Sequence, residues 1–144
     1  MAFHPMTDDE VWEFLAAAPP HTGKLATTRK DGSPHVAPIW YAVDDRSVVF
    51  NTGAESLKGR NLRRDPRAAM CVDDEQPPFA FAILDGTVEI TEDPGELRRW
   101  AGIIGGRYMG ADQAEAYGDR NGVAGELLVR LRPSRVTAAA DIAD

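Results

Sequence analysis

The sequence predicts a mainly β protein with flanking helices, folded as a small closed or nearly closed barrel of six to seven antiparallel strands. Three observations predict it. Short apolar runs recur along the chain, separated by turn residues such as Asp31-Gly32 and Asp44-Asp45-Arg46-Ser47, which is hairpin spacing. Ten prolines and thirteen glycines, mostly at the edges of those runs, cut the chain into short pieces. Only a few segments carry apolar residues at helical spacing. A barrel this small is filled by its own side chains, so a sizeable ligand must lie outside it, in a groove or between subunits.

Thr7-Asp8-Asp9-Glu10 reads as a capping box. It starts a helix over residues 7–18 with Val11, Leu15 and Ala18 as its apolar stripe, ended by Pro19-Pro20. Lys24–Thr28 is the first strand, His35–Tyr41 the return strand across the Asp31-Gly32 turn, and Val48–Thr52 the third. Hairpin connections make these antiparallel. Pro38 removes one ladder donor from the return strand, so it marks an edge or an opening in the sheet. An open backbone beside Trp40 and Tyr41 suits a flat ring. The alternative is that both aromatics are core, although neighbours on a strand face opposite ways.

Ala68–Asp73 is the fourth strand, and Phe79–Leu84 with Thr87–Ile90 continues the sheet, Gly86 being a bulge or a turn. Cys71 in its apolar strand reads as a buried small hydrophobe. Asp93-Pro94 caps a helix carrying Leu97, Trp100, Ala101 and Ile104, which Gly105-Gly106 should end. A short helix follows near Asp112–Tyr117. Glu126–Arg132 alternates as a last strand before Pro133, with Arg135–Thr137 as a short extension. Residues 138–144 read as a mobile tail. With no repeat and no dividing linker, 1–144 is expected to be a single domain.

The only cysteine, Cys71, rules out an intrachain disulfide and points to a reducing, cytoplasmic setting. The start of the chain lacks a basic region followed by an apolar one, and no apolar run approaches the roughly 18 residues of a membrane span. His4, His21 and His35 stand apart, without the spacing of metal ligands, and no GxSxG nucleophile turn is present. No metal is expected.

One stretch contradicts the rest. The chain carries a net charge of -7, yet Lys58, Arg60, Arg63, Arg64 and Arg67 crowd into Ser56–Arg67 with only Asp65 against them. Ser56 is a plausible N-cap and Pro66 a stop, leaving about two turns of helix. Unpaired N–H groups at its start, with Lys58 and Arg60 beside them, make an anion site suited to phosphate. Gly59 would let a ligand approach the backbone. A solvated basic helix is the plain alternative. Nucleic acid fits poorly, because the remainder of the chain is neutral or acidic.

Residues 23–28 (GKLATT), 31–41 (DGSPHVAPIWY), Lys58–Leu62 and Asp65-Pro66-Arg67 resemble the pyridoxamine-phosphate-oxidase-like split β-barrel superfamily. Within it they most resemble the actinobacterial branch that uses the deazaflavin coenzyme F420. The likeness continues through residues 85–90, Arg107-Tyr108 and Leu131-Arg132-Pro133. It implies an FMN-binding-like split barrel and a homodimer with two cofactors in grooves between subunits. On that likeness Ser56, Lys58, Arg60 and Asn61 match the phosphate-binding turn. Pro38, Ile39, Trp40 and Tyr41 match the strand beside the ring, with Phe50, Asn51 and Thr52 across from it and Met70 approaching from the next strand. The implied activity is hydride transfer between the deazaflavin and an unsaturated or quinone-like small molecule. The proton source is unassigned, solvent, Tyr41 and His35 being the candidates. The competing readings are an FMN-dependent oxidoreductase on the same fold and a non-catalytic flavin, deazaflavin or haem carrier.

Overall fold

Among the described residues, eight antiparallel strands form one sheet: β1 (His4–Pro5), β2 (Gly23–Thr28), β3 (Pro34–Ile39), β4 (Ala42–Asp44), β5 (Ser47–Gly53), β6 (Arg67–Asp74), β7 (Ala80–Thr91) and β8 (Glu126–Ala140). The computed structural model describes residues 4–144; residues 1–3 of the expected domain lie outside the described residues. The strand order is β3-β2-β6-β7-β8-β5-β4, with β1 added on β8. The end strands β3 and β4 are joined in the chain by Trp40 and Tyr41 alone. The sheet therefore curls until its edges nearly meet, a barrel split at one corner. Leu25, Val48, Phe50, Met70, Leu84, Val129 and Leu131 fill it, each fully buried.

Four helices surround the barrel: α1 (Asp8–Leu15), α2 (Leu57–Arg64), α3 (Pro94–Met109) and α4 (Ala114–Asn121). The capping box on α1 is complete, with Glu10 N–H donating to Thr7 Oγ1 and Thr7 N–H to Glu10. Val11 and Leu15 plug the barrel. On the outer face α3 lays Leu97, Trp100 and Ile104 over Ala42, Val49 and Leu128. This is why β5 is buried on both faces.

The structure corrects several boundaries. The first helix stops at Leu15 instead of reaching Ala18, because Pro19 and Pro20 have no N–H to offer the carbonyls of Leu15 and Ala16; Arg107 donates to the freed carbonyls of Leu15 and Ala17. The return strand does not run to Tyr41; it breaks after Ile39 and restarts as β4. Gly105-Gly106 does not end the second long helix. A Cβ on Gly105 would lie 2.1 Å from Tyr117 Cβ, so these glycines let α4 dock against α3. The helix ends at Gly110, where φ is +112°. Nor is 138–144 a loose tail: Ala138, Ala139 and Ala140 belong to β8, and Ile142 and Ala143 N–H groups donate to Phe79 and Pro78 carbonyls. Pro133 interrupts nothing, since it sits opposite Gly86 at the β7 bulge, where the ladder is already irregular. Among the described residues the strand count is eight: the stretches on either side of Gly86 form one strand, β7, which leaves six of those expected, and β1 and β4 add two.

Candidate functional site

The split corner is fixed from outside by two side chains of α3. Arg107 donates to the carbonyls of Tyr41 (2.6 Å), Leu15 (2.8 Å) and Ala17 (3.4 Å), and its guanidinium lies over the Tyr41 ring. Tyr108 accepts from Tyr41 N–H and donates to His21 O. Its ring stacks on Trp40, centroids 5.0 Å apart and nearly parallel. Trp40 is thereby held at the surface, about a third exposed, and Tyr41 in the core with none of its surface exposed. The alternation anticipated for neighbours is met, and it divides their roles.

The other wall comes from the β5–α2 turn. Ser56 Oγ accepts from Gly59 N–H and donates to Gly53 O, and it shares a hydrogen bond with Thr52 Oγ1. The helix cap is thus closed by its own serine. Gly59 is buried, and a Cβ there would fall 2.2 Å from Gly53 O. Its role is to let α2 pack on its own turn; the expectation that it admits a ligand to the backbone is not met.

Between the walls lies a groove of about 260 Å³. Pro38, Ile39 and Trp40 line one side, and Asn51, Thr52 and Lys58 the other. Ala101 and Ile104 of α3, Asn121 and Glu126 close it. Among the described residues Lys58 and Arg60 form no ion pair, whereas Arg63 pairs with Glu92 and Arg67 with Asp65. Arg64 donates to Thr28 O and to Asn61 Oδ1. Of five clustered cations, two are left for an anion, and Lys58 is the one in the groove.

Six of the expected contact residues therefore meet in one hollow: Pro38, Ile39, Trp40, Asn51, Thr52 and Lys58. Ser56 stands behind it as the cap, and Arg60 is exposed on the same turn. The others are placed differently. Phe50 and Met70 are fully buried barrel core. Asn61, 1% exposed, donates to Thr27 Oγ1 and so ties α2 to β2. Tyr41 donates its hydroxyl to Leu15 O at 2.8 Å, and burial pushes that hydroxyl up to about 12. His35 lies opposite Thr27 on β3, outside the groove, with Nδ1 buried and without a partner among the described residues. Cys71 is half-buried, not fully so, and burial raises its thiol.

The profile of the family described as pyridoxamine 5'-phosphate oxidase matches residues 7–139. The chain belongs to that family. Among solved structures, this family member is similar to a conserved hypothetical protein from Mycobacterium tuberculosis (31% identity, TM-score 0.83, 94% of this chain and 86% of that one). It is similar also to an F420 reductase (30% identity, TM-score 0.65, 81% of this chain and 89% of that one). A 5a,11a-dehydrotetracycline/5a,11a-dehydrooxytetracycline reductase of Streptomyces rimosus is 31% identical over 103 residues, 66% of this chain and 70% of the reductase. The chain spans about a third of the length of a pyridoxine/pyridoxamine 5'-phosphate oxidase from Pseudomonas paraeruginosa, 32%, at 39% identity over 69 residues.

Four groove residues of this family member were not expected from the sequence: Ala101, Ile104, Asn121 and Glu126, the last being the one that carries a charge. Glu126 opens β8, and Asn51 Nδ2 donates to its Oε1 at 3.1 Å and more weakly to Asn121 O at 3.5 Å. In the sequence it is merely the first residue of an alternating strand. Only the Gly53↔Glu126 pairing of β5 with β8 brings it to the α2 turn.

Proposed function

We propose that this chain is an oxidoreductase that holds coenzyme F420 in the groove at the seam of a homodimer. It transfers a hydride between that deazaflavin and an unsaturated or quinone-like small molecule. The observation that carries the reading is the meeting of Pro38, Ile39 and Trp40 in one hollow with Lys58, which has no ion pair among the described residues. That donor set fits the group: an apolar, aromatic wall for a ring and a cation for a phosphodiester. Arg60, two residues further along α2 and exposed, is the cation we assign to an acidic tail outside the groove. The names of two relatives near 30% identity, an F420 reductase and a dehydrotetracycline reductase, support the same choice.

The hydride chemistry belongs to the bound cofactor. The chain's own residues bind and orient it and keep water from one side. Lys58 supplies a charge-assisted contact worth about 1.5–3 kcal/mol where shielded, less on an open surface. The groove of one chain, about 260 Å³, is smaller than the roughly 300–1,000 Å³ of complete ligand sites, as half of a shared site would be. Val36 on the edge strand is 66% exposed and lies in register with Ala26, which is in register with Ala69. That apolar strip is the surface we assign to the second subunit.

Titrating the protein with coenzyme F420 and FMN side by side tests the cofactor; tighter FMN binding would reverse the assignment. Sedimentation of the loaded protein tests the seam, and a monomer would remove it. Lys58→Ala is expected to weaken cofactor binding about tenfold or more, and Arg67→Ala to leave it nearly unchanged, since Arg67 is already committed to Asp65. Equal losses would mean that the cluster acts only as diffuse charge. Tyr41→Phe is expected to cost about 1 kcal/mol of stability and to leave turnover intact. A large drop in turnover at unchanged stability would restore Tyr41 as the proton donor.

A further inference from the structure

A carboxyl group beside the groove's cation is out of place in a site for anions. Glu126 Oε1 has one hydrogen bond, from Asn51, and its other oxygen lies against Gly53, 3.3 Å from where a Cβ on that glycine would be. It forms no ion pair among the described residues. Lys58 of α2 lines the same groove without a hydrogen bond to it, and its charge favours the ionised carboxylate. β5 offers Asn51 and the end of α4 offers Asn121, both neutral. Across the small adjoining hollow stands Glu92, already paired with Arg63. The carboxyl is half-buried, and desolvation, the largest influence on it, raises it above the usual glutamate range.

We propose that Glu126 belongs to the ligand site as a protonated hydrogen-bond donor: an anion settling at Lys58 brings a proton onto Glu126, so that the groove takes up both together. The inference rests on the proposed reading of the groove as an anion site, and not on which cofactor fills it. A carboxylate facing Lys58 would repel an incoming phosphate. A carboxylic acid instead offers its O–H to a phosphate oxygen. The proton comes from the buffer, and no bond other than this O–H forms or breaks. The sign follows from linkage. The bound anion stabilises the protonated form and raises the midpoint of Glu126. Anion affinity is then highest below the midpoint of the free protein, falls as pH rises, and levels off above the midpoint of the complex.

Sulfate is the probe, because its charge does not change over the range of the titration. In wild-type protein carrying ¹³C-carboxyl glutamate, the Glu126 resonance (assigned by its loss in Glu126→Gln) is followed against pH in sodium sulfate and in sodium chloride of equal ionic strength. The midpoint is expected to rise in sulfate by about one pH unit, and the sulfate-induced rise to vanish in Lys58→Ala. An identical midpoint in the two salts, or an equal rise in Lys58→Ala, overturns the proposal. In parallel, Glu126→Gln should bind coenzyme F420 with a flatter pH dependence than wild type; the ligand's own titration is common to both proteins and cancels. An equal pH dependence overturns the proposal too. A sulfate effect at Lys58 with neither coenzyme F420 nor FMN bound would sustain the anion-and-proton site while removing the cofactor assignment.

Discussion

Replacing Arg107 with methionine is expected to lower stability by about 3–4 kcal/mol, read as a fall in Tm of roughly 10 °C. The side chain makes three donations to backbone carbonyls that no helix or sheet ladder uses, two of them at 2.6 and 2.8 Å. Charge-assisted bonds contribute about 1.5–3 kcal/mol each. Leu15 O keeps a partner in the Tyr41 hydroxyl, so the losses do not simply add. Methionine preserves much of the stem packing over the Tyr41 ring and isolates the lost guanidinium. Arg107→Lys should recover less than half of the deficit, because one ammonium cannot reproduce a planar fork reaching several oxygens. The variant should also loosen the corner that presents Trp40 beside Tyr108 and weaken cofactor binding. A loss of stability below about 1 kcal/mol would show that the corner is held by packing alone.

Arg107 also marks where the sequence was readable and where it was not. The strands were legible because their side-chain alternation is local: Leu25 on β2 and Met70 and Val72 on β6 occupy the buried positions that a period of two predicts. The basic turn was legible because charge is counted without knowing the fold. What a side chain is already bonded to is set by residues far along the chain, and there the reading failed. Asn61 looked like a phosphate ligand until Thr27, on β2, proved to be its partner. Arg63 and Arg64 looked available until Glu92 and Thr28 O were beside them. Glycines failed for a related reason. Gly105 looks like a helix stop in sequence, and its use is a close approach by Tyr117 of another helix. Glu126 was invisible because its importance comes from the pairing Gly53↔Glu126, between strands far apart in the sequence.

Gly59→Ala separates the two meanings of a glycine beside an anion site. If the residue were small to admit a ligand, the substitution would impair binding and leave the folded chain as stable as before, or slightly more so. Alanine favours helix over glycine by about 1 kcal/mol. The structure gives the opposite expectation. The new methyl would sit 2.2 Å from Gly53 O and about 3.1–3.2 Å from the Ala54 carbonyl, all backbone atoms with no rotamer to yield. Either α2 moves outward or the β5–α2 turn opens, at a net cost of about 2–4 kcal/mol. Because Lys58 and the Ser56 cap ride on the same turn, cofactor affinity should fall with stability. Gly95→Ala is the control: its added methyl would come no nearer than 3.4 Å, to the Asp93 carboxylate, so it should be neutral or gain up to about 1 kcal/mol. Thermal unfolding of the two variants without ligand decides the matter. An unchanged Tm for Gly59→Ala, with binding alone impaired, would return that glycine to the ligand.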